Sequence, residues 1–496
     1  MRLAIFSDLH LGFGRGSERE NDAFEVFEEI INIIDKEDID AVLIPGDIFD
    51  SKVPPQEVIA NALELFSRLS KIKSKSNAKV VKVHNIVEKR DREVSLLSKM
   101  PIITISGTHE RRAKNMVNPV KILEKAGFVV CLHAEFALLE NEVGEKVAVH
   151  GLSGVPEIFA RKAIQSVNFK AIDGVCNIFM LHQSIKNFVY MDDEPTLTLE
   201  DLPKGFDLII DGHIHWANEV KIKDTLFLIP GSTITTQIRK TESKIPKFIY
   251  FYDTETKSLE KKELKRPRKT YYLELDCSGK GKEEIKEMLI AKLNEVVSEQ
   301  KEKASERSRE EESKDNKDNK PLVRVILKGV VDEVAAKCNY AQFLKPFEDK
   351  LIISYSKDLK SREEERKKEE LGEIMKNAVS IDEMIERILI KNAEKLGIKV
   401  DAFDIKAFLD VLESGDVEKA EDYLEKIEEN SFEIHPKTQA LKESVSVDEK
   451  KQGNELKKLE GDNKAEKLKD KDVEGLGDGE EKAKKRKPST LFDFGG

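Results

Sequence analysis

Residues 3–10 read LAIFSDLH, an apolar run that ends in a carboxylate and an imidazole. Four more apolar runs in the first half of the chain are followed by polar motifs of the same kind. Buried strands that bring carboxylates and imidazoles to one rim create a site for two divalent metals, and such a pair catalyses attack on phosphate. The residues that come after the runs at 3–6, 41–44, 102–105, 178–181 and 208–210 are, in order, Asp8 and His10, Asp47, His109, His182, and His213 and His215.

The spacing of these motifs predicts how two metals would be held. Metals about 3.5–4 Å apart need a bridging ligand, and Asp47, which follows a glycine at a strand end, is the natural bridge. Residues two apart on a strand point to the same side, so Asp8 and His10 should act together, as should His213 and His215. Mixed carboxylate and imidazole ligands favour Mn²⁺, Fe²⁺ or Zn²⁺ over Mg²⁺. An imidazole that binds no metal could protonate the leaving oxygen.

The histidines are concentrated in these motifs. A single Asp-x-His or His-x-His occurs by chance in a long chain, but five of the nine histidines lie in the motifs. We expect His84 and His435 to be ordinary surface residues. His133 and His150 follow apolar runs without a partner at ligand spacing, so structural positions are expected for both.

Length and composition limit the class of protein. The chain has 496 residues, which is more than a domain with a single hydrophobic core usually contains, so we expect two to four domains. Its four cysteines form no CxxC pair, which argues against a disulfide framework or a thiolate zinc site. Asp8 interrupts any signal peptide, and no apolar stretch reaches the roughly 20 residues of a membrane span. These features predict a soluble, cytoplasmic protein.

The pattern along the chain predicts several domains. Residues 1–255 alternate apolar strands with amphipathic helices, as in an α/β domain, and a polar insertion at about 71–99 should have an exposed tip. Residues 268–358 read as a small α+β domain with a mobile loop at 298–320. The remaining segments are a helical, partner-binding module at 379–430, a disordered tract at 432–487 and a short apolar end at 488–496.

Two helices in the first domain have predicted buried faces. Phe24, Phe27, Ile30, Ile31 and Ile34 recur at helical spacing and predict one buried stripe. A second helix opens at Pro54-Pro55. Its predicted buried face consists of Ile59, Leu63, Phe66 and Leu69.

Two basic clusters are candidate nucleic-acid contacts, although the net charge is −11. Binding depends on local fields rather than on the sum of charges. Arg111 and Arg112 follow the third motif, and Lys265, Arg266 and Arg268 lie at an apparent domain boundary. Ordinary solvated surface charge is the alternative for both clusters.

Taken in order, the motifs resemble those of the calcineurin-like metallophosphoesterases. Three stretches, GDIFDSKVP at 46–54, MLHQ at 180–183 and IPGS at 229–232, are similar to those of SbcD-type DNA repair nucleases. The resemblance covers residues 1 to about 250. It points to the nuclease subunit of archaeal double-strand-break repair, which works with an SMC-like coiled-coil ATPase.

This resemblance implies a β-sandwich flanked by helices and a Mn²⁺-dependent nuclease with 3′→5′ exonuclease and single-strand endonuclease activity on DNA. His109 would assist the leaving group. Thr108 replaces the usual Asn, so the second metal is expected to bind more weakly or through a water. The implied ligand sets are Asp8, His10, Asp47 and His215 for one metal and Asp47, His182 and His213 for the other.

The resemblance also implies partners. Residues 268–358 would cap the site and grip DNA, and 379–430 would bind the ATPase. Helices after the second motif would form a homodimer, although the insertion at 71–99 leaves that mode open. The end of the chain resembles sliding-clamp-binding peptides, with Leu491, Phe492 and Phe494 as the contacts. A DNA substrate would place the protein at the nucleoid.

Two other functions fit parts of the pattern. Protein Ser/Thr phosphatases share the two-metal core, and their GNHE motif is close to residues 107–110. They also carry an arginine that clamps a phosphomonoester, whereas this chain has Asp50-Ser51-Lys52 at that place. A catalytically weak repair scaffold is the second alternative, and the complete set of expected ligands argues against it.

Overall fold

The computed structural model describes residues 1–111, 116–189, 197–307 and 320–366, with isolated residues between 368 and 419. The described residues fall into two compact units. One contains 1–329 and 337–359, and the other contains 330–336 and the described residues from 360 onward. Arg112, the tract at 432–487, and the end of the chain with Leu491, Phe492 and Phe494 lie outside the described residues, as does most of the module at 379–430.

The described residues form two large sheets and one small sheet. The strands are β1 (Arg2–Ile5), β2 (Ala41–Ile44), β3 (Lys79–Asn85), β4 (Arg90–Asp91), β5 (Ile102–Thr104), β6 (Val130–Cys131), β7 (Glu135–Glu140), β8 (Lys146–Leu152), β9 (Cys176–Leu181), β10 (Leu208–Asp211), β11 (Asn218–Ile222), β12 (Thr225–Ile229), β13 (Phe248–Asp253), β14 (Leu259–Glu263), β15 (Thr270–Asp276), β16 (Leu322–Val331) and β17 (Ile352–Ser361).

The α-helices pack mainly on the outer faces of these sheets. They are α1 (Asp22–Lys36), α2 (Gln56–Lys71), α3 (Pro119–Lys125), α4 (Glu157–Val167), α5 (Lys282–Arg307) and α6 (Glu333–Lys337). Among the described residues, no helix is both long and apolar enough to pass through a bilayer.

The two large sheets carry the five motif strands. One has the order β14-β13-β1-β2-β5-β6 and the other β11-β12-β10-β9-β8-β7-β3-β4. β1, β2 and β5 are mutually parallel neighbours, and so are β9 and β10. Because parallel strands end at the same edge of a sheet, the polar residues after them are brought together.

Both faces of the motif strands are buried, which explains why their sequences are continuous apolar runs. Leu3 and Ile5 of β1 face a core between the two sheets. Ala4 and Phe6 face the opposite way, into a core shared with α1 and α2. A third core lies on the outer face of the eight-stranded sheet, under α4. The predicted α/β sandwich flanked by helices is confirmed.

The structure corrects two local predictions. The buried face of α2 contains Val58, Ala62 and Leu65 besides Phe66 and Leu69, so it is rotated from the predicted one. Ile59 and Leu63 are only partly buried. The insertion has the predicted exposed tip, at 87–90, and its strand β3 pairs with β7 and extends the larger sheet. The predicted loop at 298–320 is helical as far as Arg307, since α5 continues beyond its apolar part.

The small sheet belongs to the predicted α+β domain. Its strand order is β15-β16-β17, and α5 supplies Ile285, Leu289 and Leu293 to its core. Arg268, at the start of this domain, donates hydrogen bonds to both carboxylate oxygens of Asp22 in α1, at 2.8 and 3.0 Å. This ion pair is almost buried. It connects the small domain to the sandwich within one compact unit.

Candidate two-metal centre

Beyond β1 and β2 the chain continues as two adjacent loops that carry the first two motifs. The backbone N–H of Asp8 donates to Gly46 O at 3.2 Å, and that of His10 donates to Asp47 O at 3.0 Å. Asp8, His10 and Asp47 have φ values of 53°, 49° and 47°, in the left-handed region. The expected strand-like alternation of Asp8 and His10 is therefore wrong. Their side chains converge because left-handed residues turn the loop, not because of a pleat.

The predicted ligands form overlapping groups whose donor atoms lie within 4.8 Å of one another. Asp47 belongs to two of these groups, so it links the two halves of the site. The groups are Asp8, His10 and His215; His10, Asp47 and His109; and Asp47, His182 and His213.

The first group has the donor atoms that a divalent metal needs. Both carboxylate oxygens of Asp8 are buried and have no hydrogen-bond partner among the described residues. The Nε2 atoms of His10 and His215 lie 3.2 Å apart, and His215 Nε2 is 3.6 Å from Asp8 Oδ1. An unpaired buried carboxylate is unfavourable, and a cation between these atoms would remove the penalty. The residues present therefore fit a metal ion.

The group of Asp47, His182 and His213 is ordered by contacts to the backbone. His182 Nδ1 lies 2.8 Å from Pro45 O, so it can donate there and present Nε2 to Asp47. His182 Nε2 is 3.0 Å from Asp47 Oδ2. The ring of His213 lies 5.2 Å from that of His182, centroid to centroid.

Glycines leave room for this close approach. A Cβ atom on Gly107 would lie 2.1 Å from Asp47 Oδ1. A Cβ atom on Gly212 would lie 2.0 Å from Pro45 O and 2.8 Å from His182 Nδ1. Any side chain at either position would have to displace a proposed ligand.

The geometry is accompanied by a sequence match. Residues 1–217 match the calcineurin-like phosphoesterase family. They form a calcineurin-like phosphoesterase domain.

Several curated proteins are similar to this phosphoesterase domain. The DNA double-strand break repair protein Mre11 of Sulfolobus acidocaldarius is 29% identical over 219 residues, which cover 43% of this chain and 50% of that protein. The double-strand break repair protein MRE11 of Encephalitozoon cuniculi is 29% identical over 259 residues, covering 49% of this chain and 43% of that protein. The human protein of the same name is 24% identical over 274 residues, with 49% and 38% covered. The chain spans about half the length of the first of these relatives.

Electrostatics in the phosphoesterase domain favour metal-binding protonation states for two histidines. Burial, followed by the charge of His182, lowers the pKa of His213 to about 3. Burial and the nearby His10 also lower the pKa of His215. Neutral imidazoles are the form that binds metals.

The carboxylates of the site respond to burial and to their neighbours. Burial raises the pKa of Asp8, and the negative charge of Asp47 adds to that effect. Burial opposes ionisation of Asp47 as well, but the charge and hydrogen bond of His182 outweigh it and lower the pKa of Asp47. A divalent cation would favour the ionised form of both groups.

The third motif lies at the mouth of the site. His109 is exposed, and its Nδ1 is 2.8 Å from Asp50 O, which leaves Nε2 without that contact. Its backbone N–H donates to Asp47 Oδ1 at 2.9 Å. The hydroxyl of Thr108 donates to Asp47 Oδ2 across 3.4 Å. Thr108 therefore contacts the central carboxylate.

Sequence reasoning missed four polar residues that surround the proposed ligands, and two of them contact ligand rings. Asp50 Oδ1 lies 3.2 Å from His10 Nδ1. Thr236 Oγ1 lies 3.0 Å from His215 Nδ1. Asp211 Oδ1 accepts from Gln183 N at 3.1 Å. Asp50 and Glu110 lie within motifs already recognised in the sequence, at 46–54 and 107–110, so they could have been identified there. Thr236 lies in no such motif.

Glu110 organises two loops of the site. Its carboxylate accepts from Phe49 N at 2.8 Å and from Gly107 N at 2.9 Å. Burial, with a contribution from Asp47, raises the pKa of Glu110 to about 8. The side chain therefore connects the loop after β2 to the loop after β5.

The remaining predicted residues lie away from these groups. His133 and His150 are largely buried, and burial lowers the pKa of each to about 4. His84 pairs with Asp91 across the β3–β4 hairpin at 2.7 Å. Arg268 forms an ion pair with Asp22, and its side chain is almost buried, so little of it is accessible to DNA. The other described candidates, Arg111, Lys265 and Arg266, are at least partly exposed.

Proposed function

We propose that this chain is a metal-dependent DNA nuclease that cleaves phosphodiester bonds at double-strand breaks, with Mn²⁺ as the metal. The observation that carries the proposal is the pair of buried carboxylate and imidazole groups linked through Asp47. The names of the similar proteins support double-strand-break repair as the process. The activities proposed are 3′→5′ exonuclease on duplex DNA and endonuclease on single strands.

The residues divide the chemistry between them. When bound, two cations would activate a water molecule and neutralise charge on the phosphate. His109 would give a proton to the leaving oxygen, because Asp50 O engages its Nδ1 and leaves Nε2 available for the proton transfer. The proposed holders of the cations are Asp8, His10 and His215 on one side and His182 and His213 on the other, with Asp47 proposed as the bridge between them.

We assign the DNA strand to a surface cavity beside the site. Its volume is about 530 Å³. Lys52 supplies a cation for a phosphate, and His109 faces the same space, so a bound strand would present its phosphate to the proposed acid. The lining residues are Asp50, Ser51, Lys52, Val53, Thr108 and His109.

The test uses the full chain with Mn²⁺ and 3′-labelled duplex. Asp8→Asn and His215→Gln should each lower the cleavage rate at least about 100-fold, because each removes a proposed metal ligand. His84→Gln is the matched control, since its ring pairs with Asp91 outside the site, and it should cleave like the parent. Equal cleavage by parent and ligand variants would refute the proposal. Hydrolysis of a phosphomonoester without cleavage of DNA would support the phosphatase alternative.

The partners are proposals that rest on the sequence. Deleting residues 380–430 should abolish binding of a coiled-coil ATPase in a pull-down and leave the free nuclease active, and retained binding would contradict that assignment. Phe494→Ala should weaken the affinity for a sliding clamp, as measured by calorimetry, and an unchanged affinity would contradict clamp binding.

A homodimer through α2 can be tested by sedimentation of the full chain. A DNA substrate would place the protein at the nucleoid.

A further inference from the structure

A buried lysine lies directly behind the proposed metal ligands. The side chain of Lys247, just before β13, is 7% exposed. Its ammonium donates to Glu242 Oε1 at 2.6 Å, to Ser232 Oγ at 2.8 Å and to the backbone oxygen of His215 at 3.1 Å. An ammonium has three N–H donors, so these three acceptors use all of them.

The lysine holds a short loop, residues 231–236, which we call the anchoring loop. The backbone N–H of Ser232 in this loop donates to His215 O at 3.1 Å, and that of Thr233 donates to Asp8 O at 3.3 Å. Thr236 contacts the ring of His215, with Oγ1 3.0 Å from Nδ1. One loop therefore contacts proposed ligand residues that come from opposite ends of the phosphoesterase domain.

The anchoring loop is packed too closely to shift without moving a ligand. Gly231 has φ of 75°, and a Cβ atom there would lie 3.0 Å from His215 O. Ser232 accepts from Lys247 and donates to Ile234 O at 2.6 Å, so its hydroxyl is ordered on both sides. Movement at Lys247 would therefore be transmitted to His215.

A contribution to folding stability does not explain why a Lys247–Glu242 ion pair is buried here. A buried ion pair is often no better for stability than well-packed apolar residues of similar size. The Lys247–Glu242 pair, however, supplies a hydrogen bond to the backbone of a ligand residue, which an apolar pair cannot do.

We propose that Lys247, held by Glu242, is a positioning residue that fixes the anchoring loop and so orients His215 and Asp8 for binding a divalent cation. The inference rests on the proposed function only in that the site must bind metal. It assigns no contact between Lys247 and the substrate. It predicts that loss of Lys247 affects the cation of the first group and spares the cation held by Asp47, His182 and His213.

Calorimetric titration of the full chain with MnCl₂ tests the proposal. Lys247→Met removes the ammonium, and Lys247→Met combined with Glu242→Leu removes both charges while keeping apolar volume. Lys121→Met is the matched control, because Lys121 pairs with Glu124 at 2.9 Å, away from the described ligand groups. Thermal unfolding of each variant in chelator reports stability separately from metal binding.

The parent should bind two Mn²⁺ ions. Lys247→Met should bind one of them about 10- to 100-fold more weakly, as is usual when a residue that orients a ligand is lost. The double variant should regain thermal stability without regaining affinity, whereas Lys121→Met should keep both sites. Parent-like affinity in the double variant would overturn the inference and leave the proposed function intact. A parent that binds no Mn²⁺ would overturn both.

Discussion

Three of the proposed ligand residues, Asp8, His10 and Asp47, have positive φ values. A left-handed conformation costs a residue other than glycine of the order of 1–3 kcal/mol, and it persists where the surroundings hold it. Here the surroundings are the backbone hydrogen bonds that continue the β1–β2 pairing into the loops. The strain and the convergence of the donor atoms have the same origin.

The first residue-scale prediction concerns Gly212. Gly212→Ala should lower Mn²⁺ affinity at least about tenfold, because its Cβ atom would displace His182 from Pro45 O. Calorimetric titration measures the change. Gly281→Ala is the control, since the nearest atom to its Cβ would be a flexible carboxylate oxygen 3.7 Å away. Equal affinity in the two variants would contradict the tight packing inferred at Gly212.

A second prediction concerns His150 and the pH dependence of stability. Burial lowers its folded-state pKa to about 4, from an ordinary value of 6.5. Between these values the unfolded chain binds more protons, so stability falls as pH decreases from 6.5 toward 4. His150→Phe should reduce the stability difference between pH 7 and pH 5 by about 2 kcal/mol.

The His150 prediction can be read with urea unfolding in chelator at both pH values, because the single tryptophan, Trp216, lies in the phosphoesterase domain. Phe136→Leu serves as the control, since the Phe136 ring lies 5.3 Å from that of His150. It should lower stability equally at pH 5 and pH 7. An unchanged pH dependence in His150→Phe would show that the histidine is not kept neutral by burial.

At the scale of elements, the β3–β4 hairpin combines an exposed tip with a buried base. Its tip at 87–90 is exposed, as the polar composition of the insertion predicts, whereas Ala78 and Val83 are buried in the core between the sheets. Arg92, just after β4, attaches the hairpin to the sandwich. It donates to Glu124 Oε1 and to Glu135 Oε2, both at 3.0 Å.

Removing this attachment should loosen the hairpin. Arg92→Met leaves the carboxylates of Glu124 and Glu135 without their guanidinium and should cost about 2–3 kcal/mol. Hydrogen–deuterium exchange should show faster uptake in β3 and β4. Arg90→Met is the matched control, because Arg90 is exposed, and a change within about 0.5 kcal/mol is expected. Similar exchange in both variants would mean that backbone pairing alone holds the hairpin.

For the whole molecule, three ion pairs connect the sandwich to the segment that carries the small sheet. Arg268 pairs with Asp22, Lys320 pairs with Glu18 at 2.8 Å, and Lys240 pairs with Glu274 at 2.8 Å. Of these three pairs, the Arg268 pair is almost buried. Exposed pairs contribute little to stability, so Arg268 should dominate.

Arg268→Met should therefore loosen the small domain. The uncompensated Asp22 would destabilise the connection by about 3 kcal/mol, although Arg19 also contacts Asp22 and limits the loss. Exchange of β15 and α5 amides should accelerate. Lys269→Met, which removes an exposed pair with Glu299, should leave exchange unchanged. Equal exchange rates in the two variants would show that the Arg268–Asp22 pair does not hold the small domain in place.

The amino-acid sequence was sufficient to predict the motif strands, the phosphoesterase fold and the gathering of the motif carboxylates and imidazoles at one rim. It was sufficient because strands buried on both faces are apolar runs, and parallel strands bring their terminal polar residues to one edge. The residues that orient those ligands became visible in the folded molecule. Lys247 and Thr236 lie 32 and 21 residues from His215, so no local pattern relates them. Their contacts exist because loops from distant strands meet at the rim, where buried polar groups must find partners.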